Sequence, residues 1–200
     1  MASSQTAPDE PSALPAKGGR AGRNLPAAVG SAVVLLAAIA ASLAFWKPGF
    51  MIIVAAAVVT AVWELGQAFA NRGIRLVRDP LMAGGVVMVL VAYLVGSASM
   101  ATATAITVLA VMLWRLRGGV DGYVRDVTAT AFTALYVPFL GSFVALLLAE
   151  PKGELAIVTF ILVTIASDIG GYAVGVLAGK HPMAPVISPK KSWEGFAGSA

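Results

Sequence analysis

Cysteine is absent from the 200-residue sequence, histidine occurs once, and charged residues make up only 12%. Without cysteine there is no disulfide framework and no thiolate metal site. With His181 alone, in a loop (GKHPMAP) that has no acidic neighbour in sequence, a centre of several histidines is excluded too. A soluble domain carries about 25% charged residues. Here the share is about half that, and hydrophobic residues reach 58% in long blocks, which indicates a polytopic membrane protein. Period-2 alternation is also missing, and an open sheet edge cannot exist in lipid, so spanning strands are not expected. There is no internal repeat and no pair of broken helices of the kind an inverted-repeat transporter carries. The net charge of +4 would suit nucleic acid. In a membrane chain the basic residues instead gather on the cytoplasmic side, and no nucleic-acid partner is expected.

What is present is an all-α pattern: a transmembrane helical bundle of six complete spans plus the start of a seventh. Residues 1–24, rich in Pro, Ser, Ala and Gly, are expected to form a disordered cytoplasmic tail. The spans are expected at about 26–46, 49–70, 81–97, 99–114, 127–149 and 155–178, with a further helix opening near Ser192. Residues 25–200 are therefore read as one transmembrane domain. The basic residues sort by side. Twelve of the 14 lie before the first span or after the second, fourth and sixth, and only Lys47 and Lys152 fall opposite. That asymmetry puts the N-terminus and the exits of the even-numbered spans in the cytoplasm of a multi-pass membrane protein. The surplus of Ala, Gly and Val suits helices packed through small residues, and Gly171, Gly175 and Gly179 form a stripe compatible with a homodimer.

Three acids sit in or beside apolar segments, where an ionised group is costly. Glu64, in AVWELGQ, either lines a cytoplasmic cavity or pairs with a loop arginine or Gln67. Asp168 stands ten residues before the end of its span, about 15 Å deep at 1.5 Å per residue. With Gly170 and Gly171 following, it reads as an ion ligand in a polar cleft, the plainer alternative being an Asp satisfied by Ser167 and another helix. Glu194 follows the Lys190-Lys191 pair. Ser188-Pro189 has the character of an N-cap and first helical position, which would put both lysines in a first turn. Cations are unfavourable at that end of a helix, so the pair reads either as an anion site suited to phosphate, with Glu194 pairing Lys190 or helping to hold a metal–phosphate complex, or as an ordinary positive-inside cluster.

The stretch SDIGGYAVGVLAGKHPMAPVISPKKSWEGFAGS resembles the bacterial phosphatidate cytidylyltransferases (CDP-diacylglycerol synthases). The resemblance is carried by Asp168, Gly170, Tyr172, Gly175, Gly179, Lys180, Pro185, the Ser188–Lys191 run, Trp193-Glu194-Gly195 and Gly198. It implies conversion of CTP and phosphatidic acid into CDP-diacylglycerol and pyrophosphate with Mg²⁺, at the lipid bilayer, and pairing as dimers. By the same resemblance Lys190, Lys191 and Asp168 are the catalytic residues, Asp168 also lying near the metal. Ser188, Lys180, Glu194 and Glu64 contribute to substrate binding. Two departures accompany it. Val176 stands where family members often carry Arg, and the family's second motif, with most of its acidic metal ligands, is not found by Ala200. The chain is therefore expected to be an N-terminal fragment, inactive alone. The alternatives are a permease for an anionic solute, with Asp168 and Glu64 on its path, and a related CTP-using lipid kinase.

Overall fold

The computed structural model describes residues 25–200, so the expected tail over 1–24 lies outside the described residues. The chain divides into two compact units, Met1–Ala37 and Ala38–Ala200. Helix α1 runs over Leu25–Phe45, and its residues 25–37 are the described part of the first unit. The architecture below is that of the second.

Helices α2 (Lys47–Ala70), α3 (Arg78–Leu94) and α4 (Ser97–Leu116) follow one another through short connections. α2 can begin at Lys47 because Pro48 occupies its first turn, where a missing N–H costs nothing. The α3–α4 reversal takes only Val95 and Gly96, and Gly96 has φ 111°, a conformation open to glycine. The two helices pack antiparallel. Leu81 meets Val111 in one buried cluster, Ala92 meets Met100 in another, and Gly84 lies so close to Thr107 that no Cβ would fit. Small residues let the backbones approach, as expected where lipid offers no hydrophobic drive between helices.

A continuous helical stretch follows over Tyr123–Ala149: α5 (Tyr123–Ala134), a π-helical segment (Leu135–Phe139) and α6 (Leu140–Ala149). The π segment contains Pro138, whose missing N–H breaks the regular ladder. Ser142 Oγ donates to the Pro138 carbonyl at 2.6 Å, and the buried proline ring packs against Gly85 of α3. Helix α7 (Gly153–Ala178) then crosses back with only Gly153 and Ile157 buried.

Among the described residues four helical stretches are long and apolar enough to cross a membrane: α2, α4, Tyr123–Ala149 and α7. The apolar part of α1, Val29–Phe45, is shorter, and α3 has 17 residues. The molecule is all-α in character, as expected. Helix α3 begins on Arg78 and helix α4 carries Arg115 in its last turn, both outside the expected spans. Arg115 is admitted because it is neutralised: its Nε and Nη2 donate to Asp126 Oδ2 at 3.1 and 3.0 Å.

After α7 the structure departs from expectation. Pro182–Ala184 (β1) and Ser188–Ser192 (β2) form an antiparallel pair. Ser188-Pro189 is thus the start of a strand and not of a helix. The true helix start lies four residues on, where Ser192 caps α8 (Trp193–Gly198) by accepting the Gly195 N–H at 3.1 Å. Trp193 N–H also donates to the His181 carbonyl at 3.0 Å, closing the hairpin onto the helix.

Candidate functional site

The glycine stripe of α7 receives α8. The two run antiparallel: Gly170 abuts the Gly198 carbonyl, Gly175 faces Gly195, and Gly179 faces Ser192 Oγ. Ser167 Oγ donates to the Ser199 carbonyl at 2.6 Å. The stripe therefore serves packing within the chain, which leaves the expected dimer without this support.

Between α7, β2 and α8 lies a cleft of about 610 Å³. Asp168 borders it from α7, Lys190 and Lys191 from β2, and Ser192 and Ser199 from the two ends of α8. Regular strand alternation would send adjacent lysines to opposite faces. Here Pro182 pairs with Ser192 and Ala184 with Ser188, so two steps of β1 oppose four of β2 and the register shifts between them. The irregularity re-aims side chains, as bulges beside active sites do, and both lysines border one cleft. Pro189, with no N–H to give a ladder, sits in this stretch. Asp168, Lys190 and Lys191 are all exposed toward open space.

Glu194 has a different set of neighbours from those expected. It does not pair with Lys190. Its Oε2 accepts the backbone N–H groups of Lys180 and His181 at 3.1 and 3.2 Å, and its Oε1 lies 2.5 Å from His181 Nδ1. The hydrogen bond from His181, with those from backbone N–H groups, holds its carboxyl down to about 2. His181, read from sequence as lacking an acidic neighbour, thus has one 13 residues on. Lys180 and Ser188 do not border the cleft; Lys180 lies in the segment that Glu194 fastens, and Ser188 opens β2 opposite Ala184. Glu64 is exposed on α2, borders neither this cleft nor the second one near Arg75, and has no ion pair among the described residues.

Sequence reasoning missed His181, Ser192 and Ser199. Only Ser192 left a signal, as a capping residue just before Trp-Glu-Gly, and the Ser188-Pro189 signal competed with it. It also missed the buried ion pair Arg115–Asp126, whose members stand at the ends of two helices.

The donors of the cleft, two ammonium groups and serine hydroxyls, suit anions, and its one carboxylate suits a cation that accompanies them. Among the described residues no group of three or more His, Cys, Asp or Glu could hold a metal by itself. A hard divalent ion of the magnesium type needs only one or two protein carboxylates when substrate phosphates complete its shell, and Asp168 can be one.

A sequence model described as the cytidylyltransferase family matches residues 26–200. The phosphatidate cytidylyltransferase of Mycobacterium leprae (strain TN) is 36% identical over 196 residues, which cover 90% of this chain and 63% of the relative. The phosphatidate cytidylyltransferases of Mycobacterium bovis and Mycobacterium tuberculosis (strain H37Rv) are each 39% identical over 193 residues, covering 63% and 59% of their lengths. The chain thus spans about three fifths of the length of these curated relatives. No solved structure matches it.

Proposed function

This chain belongs to the cytidylyltransferase family, and on that premise we propose that it carries the lysine–aspartate half of a phosphatidate cytidylyltransferase site. The reaction is CTP plus phosphatidic acid giving CDP-diacylglycerol and pyrophosphate. The observation that carries the reading is the meeting of Asp168, Lys190 and Lys191 at one cleft on an apolar helix. A lipid phosphate and a nucleoside triphosphate repel each other, and both must reach one point at a membrane surface.

In the step, a phosphate oxygen of the lipid attacks the α-phosphorus of CTP. The bond from that phosphorus to the oxygen bridging to the β-phosphate breaks, and pyrophosphate leaves with the bridging oxygen. No covalent enzyme intermediate is needed. Lys190 and Lys191 neutralise the phosphates and hold them in line, and positioning with charge stabilisation supplies most of the rate in reactions of this class. Mg²⁺ is the ion we assign, with Asp168 as one ligand beside the substrate phosphates; when bound it would offset triphosphate charge. Glu194 and Lys180 act by fastening the hairpin, Ser188 by opening β2. Glu64 receives no role in the step.

The cleft would face the cytoplasm of the cell membrane, where CTP is found, with the N-terminus on the same side. The family assignment leaves the permease alternative without support.

The test is Mg²⁺-dependent conversion of labelled CTP into lipid product by the protein at its full natural length. Lys191→Ala and Asp168→Asn should each lower kcat/KM by about 100-fold or more, the scale of losing one preorganised charge contact. Unchanged rates in both would remove the site assignment.

A further inference from the structure

A second cleft, of about 430 Å³, opens where the α2–α3 connection meets the end of α4. It shares no lining residue with the Asp168 cleft. Arg75, Arg78 and Arg117 border it, with buried Arg115 beneath and Asp79 as its one acid. Arg115 is already spent: besides Asp126 it donates to the carbonyls of Gly119 at 3.0 Å and Asp121 at 2.7 Å. The other three arginines have no carboxylate within 4.0 Å among the described residues.

The cleft is held in shape. Asp126 Oδ1 accepts the Arg75 N–H at 3.0 Å, and Thr130 Oγ1 accepts the Val77 N–H at 3.2 Å, so the connection is tied to α5. Arg117 lies over the Trp114 ring, 4.2 Å from its centroid. The Arg78 stem runs against Gly66, where a Cβ would overlap it. A positive-inside rule asks only that basic residues lie in loops. It does not ask three arginines without a carboxylate partner to border one braced cleft beside an indole.

The surroundings select the ligand. Trp114 is half-exposed near the end of an apolar helix, the position of an interfacial aromatic, and Leu113 and Leu116 beside it are 67% and 53% exposed. Exposed apolar side chains beside the cleft and arginines along its border match acyl chains and a phosphate, and arginine binds phosphate through paired N–H donors. We propose that this cleft is a second site, holding the phosphate headgroup of an anionic phospholipid from the adjoining leaflet. The inference needs insertion in a membrane but not the catalytic reading.

The experiment is native mass spectrometry of the protein released from nanodiscs of mixed phosphatidylglycerol and phosphatidylcholine. The protein should retain phosphatidylglycerol in preference to phosphatidylcholine. Arg75→Gln/Arg78→Gln/Arg117→Gln should lose that preference, by about fivefold per arginine, while Lys190→Ala/Lys191→Ala keeps it. No preference, or one that survives the triple substitution, overturns the proposal. Displacement of the lipid by millimolar inorganic phosphate would assign the cleft to soluble phosphates and overturn the lipid source. A second measurement does not depend on the triple variant folding. Brominated phosphatidylglycerol should quench tryptophan emission more than brominated phosphatidylcholine, and Trp114→Phe should abolish the difference; a difference that persists without Trp114 counts against the site.

Discussion

Glu194 carries the clearest pH signature. Its carboxyl titrates at about 2 in the folded protein against an ordinary value of 4.5, chiefly because His181 is hydrogen-bonded to it. A carboxylate whose folded pKa is depressed stabilises the fold fully above the unfolded value and loses that contribution as pH falls through the folded one. The hairpin latch should therefore hold above pH 4.5 and weaken down to about 2. Emission from Trp193, which sits next to Glu194, should shift across that window, and Glu194→Gln should flatten the shift; a Gln variant with the same profile would show that the latch lies elsewhere. Asp126 invites a different measurement. It is 1% exposed and accepts three hydrogen bonds from Arg115 and the Arg75 backbone. Asp126→Ala strands a buried guanidinium and should cost about 3–5 kcal/mol in unfolding, more than removing both partners together. A double-mutant cycle with Arg115→Met reads this coupling directly. Neither member of the pair stood out in the sequence, because a charge at the end of an apolar run looks the same whether it is solvated or buried.

At the scale of the element, helix α8 depends on glycines that differ in tolerance. A Cβ on Gly170 would run into the Gly198 carbonyl, and one on Gly198 into the Val174 side chain. At Gly175 the nearest atom would be 3.6 Å away, an ordinary contact. Gly170→Ala should therefore displace α8 and, on the proposed function, abolish turnover, while Gly175→Ala should fold and keep it. Protease sensitivity of the hairpin separates displacement from loss of chemistry; equal behaviour of the two variants would mean that α8 does not dock here. The stripe itself was legible in the sequence, since a four-residue glycine period needs only helical geometry. Its partner was not, because α8 lies across an intervening hairpin. The hairpin also shows why Ser188-Pro189 misled. Capping propensity is local, and the ladder between β1 and β2, with the Trp193 link to His181, satisfies backbone groups that a helix starting at Ser188 would have used differently.

At the scale of the whole molecule, the two ends of the second unit sort their charges. Lys47 and Glu154, at the starts of α2 and α7, meet at 2.7 Å. The α2–α3 connection, the end of α4 and the start of α5 meet through Arg75, Arg115 and Asp126. Because the chain has no native cysteine, single cysteines can be introduced without background. Replacements at Asp121 and His181 should label from the cytoplasmic side and one at Lys152 from the other; labelling of His181 with Lys152 would place the lysine pair on the wrong face and defeat the proposed enzyme site. The sequence by itself determined that this is an apolar helical protein and where its long helices run to within a few residues, since the length of apolar runs and the charges between them are written along the chain. Tertiary structure alone decided that Lys190 and Lys191 turn to one cleft, that Glu194 holds His181, and that Arg115 is neutralised by Asp126. Those outcomes depend on a bulged ladder and on contacts between separate helices, and no local pattern encodes which groups a folded chain will bring within hydrogen-bond reach.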